Sequence, residues 1–169
     1  MTEHYELKRI TRDGVPTALQ KAERYRIIND PSSAESICLD VLEVDPANQS
    51  AIVTLLLAIT DQFAERPADG ARRAQALLPR LTDEYKRMYY AGLIAERGAK
   101  AHLRRATVAS GELAYHLLRE AMSWYEQAES RRPAGNDEAI LRWNTCARML
   151  ERDEHIRPRL EEAPSPGSE

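Results

Sequence analysis

Aromatic side chains are sparse in this chain, 6% of its 169 residues, with one phenylalanine among them. Runs of Val, Ile and Thr are also scarce, so no stretch has the β-branched, aromatic character of a buried strand. The 7 glycines form neither a GxxxxGK[ST] nor a GxGxxG pattern, which leaves no phosphate-cradling loop of a nucleotide enzyme. Cys38 and Cys146 lie far apart, without a CxxC pair, and both fall on helical apolar stripes; this reads as two buried thiols rather than a disulfide or a nucleophile. His4, His102, His116 and His155 are scattered, HExxH is absent, and none has a Cys or second His at ligand spacing. The longest apolar run, residues 51–59, is interrupted by Thr54 and is far too short to span a bilayer. Residues 1–14 are charged and lack the apolar centre of a secretory signal. These absences predict a cytoplasmic, noncatalytic protein with no metal, no cofactor and no membrane segment.

Charged residues, by contrast, make up 30% of the chain. They nearly cancel, to a net charge of −3 and a pI near 5.9, which gives no global pull toward nucleic acid. Their placement is uneven. Residues 66–105 hold ten Lys or Arg against four Asp or Glu. The simpler reading is the solvated face of two helices; the other is a basic patch of Arg72, Arg73, Arg80, Lys86, Arg87, Arg104 and Arg105 for an anionic partner or RNA. Ala, Leu, Glu and Arg recur throughout, so the fold class is all-α, in one domain by length.

Taken in order, the chain reads as helices punctuated by proline. Asp13-Gly14 marks a turn, and Pro16 suits the first turn of a helix bearing Ala18, Ala22 and Tyr25. That helix fades at Asn29-Asp30-Pro31, and the spacing Ser32-x-x-Glu35 predicts a capping box for the next, which Asp45-Pro46 ends. Asn48 caps a third helix with Ile52, Leu55, Leu56 and Ile59 on one side, stopped by Arg66-Pro67. A poorer helix from about 69 to 81 carries Pro79 near its end. Thr82-Asp83 caps a fifth, about 84–102. A sixth runs about 112–131 to Pro133-Ala-Gly135, and Asn136 caps a seventh to residue 152. Residues 1–14 are a polar extension and 153–169 a flexible tail.

Within this order one spacing occurs twice. Ala34, Cys38, Val41 and Pro46 recur as Ala121, Tyr125, Ala128 and Pro133, a helix with small crossing residues and a proline stop. With Ala22 and Tyr25 ahead of the first copy and Tyr89-Tyr90-Ala-Gly92 ahead of the second, this resembles the tetratricopeptide repeat, a helical hairpin of about 34 residues. The resemblance covers residues 15–150. It implies an alpha-alpha superhelix of about seven helices, with repeats at about 15–48, 49–84 and 85–135 and a capping helix at 136–152. The middle repeat is degenerate, with Gly70, Ala74 and Leu77 at the packing marks and Thr82 in place of proline. The third is 17 residues too long, which fits a lengthened turn and a longer sixth helix.

In that family the first helices of stacked hairpins line a concave groove. The resemblance implies groove positions Leu19, Glu23 and Arg26; Val53, Leu57 and Asp61; Tyr89, Leu93, Glu96 and Arg97; and Asn144 and Arg148 on the cap. Val53 and Leu57 read equally well as core. Asn144 and Arg148 would either meet a ligand carboxylate or tie the hairpin loop. Apolar anchors mixed with Asn, Arg and Glu suit a peptide or helical partner. One branch of the family grips acidic C-terminal tails with Lys and Asn in the first groove helix; here Leu19 and Glu23 stand there, and Glu23 repels a carboxylate. The expected function is a protein-interaction scaffold. The alternatives are an adaptor for an anionic partner or RNA, and a self-associating protein joined through the long helix of the third repeat.

Overall fold

The computed structural model describes residues 3–107 and 109–159, which form seven α-helices and no strand. They are α1 (Val15–Ile27), α2 (Pro31–Val44), α3 (Gln49–Asp61), α4 (Pro67–Leu77), α5 (Glu84–Arg104), α6 (Ser110–Glu129) and α7 (Glu138–Arg152). The all-α class predicted from composition is what the chain adopts. None of these helices is long and apolar enough to cross a membrane.

Local chemistry explains most of the boundaries. Asn29, at φ 62, takes the left-handed position after α1, and the Asp30 amide turns back to the Tyr25 carbonyl at 2.8 Å, closing the helix end. Asn48 caps α3 by accepting from the Ala51 amide at 2.9 Å, and Asp83 caps α5 through the Lys86 amide at 3.2 Å. Two expectations are corrected. Asp30, not Ser32, caps α2: its side chain accepts from the amide and the hydroxyl of Ser33, because Pro31 already occupies the first helical position. Glu35 is thereby free to receive Gln62 and Arg73 from beyond α3. Pro67 begins α4 rather than stopping α3, which ends at Asp61 in a turn over residues 62–66.

Each helix packs on the next, and α1 also touches α3 while α3 touches α5. Two hydrophobic cores result, one among α1–α4 and the facing side of α5, the other among α5, α6 and α7, with Tyr90 packed against both. Helix α3 is central: Ala51, Ile52, Thr54, Leu55, Leu56, Ala58, Ile59 and Thr60 are all buried. A helix apolar on nearly every side must be covered on nearly every side. Each of its large aliphatic residues contributes on the order of 2 kcal/mol by leaving water.

The marks of the repeated spacing are packed. Ala22, Ala34, Cys38, Val41, Ala121, Tyr125 and Ala128 have no exposed surface, while Pro46 and Pro133 sit exposed after their helices. A Cβ added to Gly92 would stand 2.6 Å from Cε1 of Tyr125, so glycine is what admits this ring between α5 and α6.

The surplus length of the third hairpin falls on both of its helices, not on the sixth alone. Helix α5 has 21 residues and α6 has 20, against 13 and 14 in the first hairpin. Their far ends are largely covered. Residues 153–159 fold back so that the His155 carbonyl meets Gly111, where a Cβ would collide with it, and Ile156 is buried among α6 and α7 residues. The flexible tail expected from 153 onward is therefore packed as far as Ile156, and residues 160–169 lie outside the described residues. Leu113 is the one large apolar residue of α5 or α6 that is exposed among the described residues.

Candidate functional site

Arg26, in the last turn of α1, donates through Nε to Asp61 at 2.7 Å and through a terminal nitrogen at 3.3 Å. Asp61 is the last residue of α3 and also accepts from Arg97 of α5 at 2.6 Å. The same Arg97 nitrogen reaches Thr60 Oγ1 at 2.6 Å and the Leu57 carbonyl at 3.3 Å. Its charge thus sits at the negative end of the α3 dipole. Three odd-numbered helices are joined by one carboxylate between two guanidinium groups.

The next residue, Glu96, points the other way into the interior and has no exposed surface. Its Oε2 accepts from the Tyr125 hydroxyl at 2.7 Å, and its Oε1 from Lys100 at 2.5 Å and Arg142 at 3.3 Å. A buried carboxylate is tolerated because both oxygens are paired and two of the donors are cations. Arg142 extends this network to α7. Between the two networks lies an open cleft of about 250 Å³ lined by Thr60, Asp61, Phe63, Arg97, Lys100, Arg104 and Arg142 among others.

The electrostatics of the cleft are one-sided. Arg97, Lys100, Arg104 and Arg142 line it with Asp61 as the one carboxylate among its lining residues, and Asp61 and the interior Glu96 are already shared between cations. Burial lowers the Arg97 pKa, Arg26 and Arg142 lower it further, and Asp61 only partly offsets them. Arg142 is likewise disfavoured by burial, but the Glu96 carboxylate and the neighbouring Tyr89 outweigh that and raise its pKa. Burial also pushes the thiols of Cys38 and Cys146 up to about 12, so neither is a thiolate near neutral pH. No group of three or more His, Cys, Asp or Glu among the described residues is placed to hold a metal ion.

Of the groove positions expected from the sequence, Arg26, Asp61 and Arg97 are brought together, with Leu57 contributing its carbonyl. Leu19 and Val53 are half-buried against the first core, and Glu23 is exposed. Tyr89, Leu93 and Glu96 are not open to a partner: Leu93 is 2% exposed, Tyr89 is buried within a cluster with Tyr85, Tyr90 and Tyr125, and Glu96 is interior. Asn144 and Arg148 neither line the cleft nor tie the hairpin loop by a hydrogen bond among the described residues. The α7 residue that reaches the site is Arg142. It lies on the buried stripe of Ala139 and Cys146, which turns its guanidinium toward α5. The one available signal was Glu96 itself, an acid directly after the run Ala91–Ala95 of α5 that had to find cations.

Part of the alternative basic patch is spent on contacts within the protein. Arg72 pairs with Asp69 and Arg73 with Glu35, while Arg80 and Arg87 donate to the carbonyls of Pro46 and Leu81.

No family model, curated protein or solved structure matches the chain.

Proposed function

We propose that the chain is a noncatalytic protein-interaction module, a short tetratricopeptide-like array that binds a peptide segment across the face formed by α1, α3, α5 and α7. The observation that carries this reading is the row Arg26, Asp61, Arg97 and Arg142, contributed one by one from the four odd-numbered helices. Charges so placed beside half-buried Leu19, Val53 and Leu57 offer both polar register and apolar contact to an extended or helical segment. Binding RNA through the basic stretch is the weaker reading, since Arg73, Arg80 and Arg87 are held by partners within the protein. A cytoplasmic location belongs to the same proposal and rests on two buried, unpaired thiols.

Affinity capture from the native cell tests it. The wild type is compared with a double charge reversal on this face, Glu23→Lys with Arg104→Glu, and with Arg148→Glu as an off-site control. The expected result is loss of captured proteins in the double variant alone. Equal yields of the same proteins from all three overturn the reading.

A further inference from the structure

The cleft at the α7 end of this face has more positive charge than the protein itself neutralises. Four cations, Arg97, Lys100, Arg104 and Arg142, line it against one carboxylate, Asp61, which is already shared between Arg26 and Arg97. Arg104 lines the cleft, is exposed, and its side chain makes no hydrogen bond among the described residues, so its donors are available. Arg97 and Arg142 enter from α5 and α7; Arg97 holds Asp61, Thr60 and the Leu57 carbonyl through one terminal nitrogen and Arg142 holds Glu96 through one beside Tyr89, which leaves further donors of each planar fork for a second acceptor. One dianion removes two of the three surplus charges, and converging guanidinium forks match a tetrahedral, multi-oxygen acceptor. At about 250 Å³ the cleft is smaller than most ligand sites (about 300–1,000 Å³), which suits a group the size of a side chain rather than a nucleotide.

Resting on the peptide-binding reading above, we propose that the cleft between Asp61, Arg97, Arg104 and Arg142 receives a single phosphomonoester carried on the bound peptide. A nucleic-acid backbone is the poorer occupant. It needs cations continuing along its track, whereas Arg73, Arg80 and Arg87 of the 66–105 stretch are engaged elsewhere. An isolated arginine cluster is instead the arrangement by which phosphorylated side chains are read. The electrostatic cost of Arg97, buried between Arg26 and Arg142, falls when such a group enters.

The test follows the Nε–Hε signals of Arg97 and Arg142 by NMR at constant ionic strength and pH 7.5. Titrants are inorganic phosphate, acetate, a capped glycyl-phosphoseryl-glycine peptide, its unphosphorylated form and a ten-residue oligothymidylate. The expected result is a saturable shift with inorganic phosphate and with the phosphopeptide. The phosphopeptide should bind at least about tenfold tighter than its unphosphorylated form, the effect of one charge-assisted fork. Arg104→Ala should weaken both about fivefold to tenfold with an unchanged thermal midpoint, and Arg104→Lys should recover part of the loss. Non-saturable shifts, an equal response to acetate, or an Arg104→Ala variant that binds like the wild type overturn the proposal. Tighter binding of the oligonucleotide than of the phosphopeptide overturns it in favour of nucleic acid. A phosphate failure with capture still lost in the Glu23→Lys, Arg104→Glu variant leaves the peptide-binding face standing without the phosphate.

Discussion

The hydroxyl of Tyr125 donates a 2.7 Å hydrogen bond to Oε2 of Glu96, a carboxylate with no exposed surface. Lys100 and Arg142 both hold the other oxygen, so Oε2 depends on Tyr125. Among the described residues no buried side-chain nitrogen or oxygen lacks a partner, and Tyr125→Phe would create one. The substitution keeps the ring packed over Gly92. It is expected to cost about 1–3 kcal/mol, the desolvation penalty of the stranded acceptor. Urea unfolding should show a lower midpoint at unchanged slope; an unchanged midpoint would mean that Oε2 finds water or rotates to the cations.

Alkaline conditions should unfold the protein. Burial raises the pKa of Tyr85, Tyr89, Tyr90 and Tyr125 above 10.0, Tyr90 to about 12, and raises Cys38 and Cys146 from 9.0 to about 12. Above pH 9 the unfolded chain therefore releases protons that the folded chain retains. Fewer protons on the unfolded state make stability fall as pH rises. The contribution is fully present below pH 9 for the thiols and below pH 10 for the phenols. It is lost progressively as pH climbs toward 12. Denaturant midpoints measured from pH 7 to pH 11 should be flat at first and then drop, with Cys38→Ala and Cys146→Ala each removing part of the fall that begins at pH 9. A flat profile to pH 11 contradicts the burial of these groups.

Close approach of α5 and α6 should make two small residues intolerant of added volume. Gly92→Ala would place its Cβ against a ring that is itself hydrogen-bonded and fully buried. Ala121→Leu would add three carbons where Ala121 has no exposed surface. Each is expected to cost about 1–3 kcal/mol by overpacking, read as a lower thermal or denaturant midpoint. Serine at 92 offers no relief, because the clash is with the Cβ.

The segment after α7 should behave as part of the core. Ile156 is 1% exposed within the second core, whereas Leu141 on the outer side of α7 is 63% exposed. Ile156→Ala is expected to cost about 2–4 kcal/mol and Leu141→Ala less than about 0.5 kcal/mol. Equal effects of the two would mean that residues 153–159 detach in solution.

Much of the helical order was legible because it is written in neighbours. Apolar residues three and four apart, Asn48 and Asp83 as caps, and prolines at 16 and 46 each act within one or two turns, so the chain itself carries the information. The small residues Ala22, Ala34, Gly92 and Ala121 were readable for the same reason, since close packing of helices demands them wherever their partners come from. Local signals competed at one place: Asp30 before Pro31 took the cap that Ser32-x-x-Glu35 advertised.

The cleft was only half legible. Arg26, Asp61 and Arg97 fall on predicted groove positions, but the Glu96–Arg142 pair spans 46 residues and the Tyr125–Glu96 bond 29. Which charges meet across such separations depends on how α7 is rotated against α5 and α6. That rotation is set by burial of Ala139 and Cys146 and by the Trp143 indole bonded to Glu126, not by anything local to Arg142. The sequence by itself determined the helices, their breaks and the tight crossings, because these follow from periodicity, capping and size. Only the tertiary structure decided which cations share the cleft and that Ile156 returns to bury itself on the second core, because these follow from packing between distant segments alone.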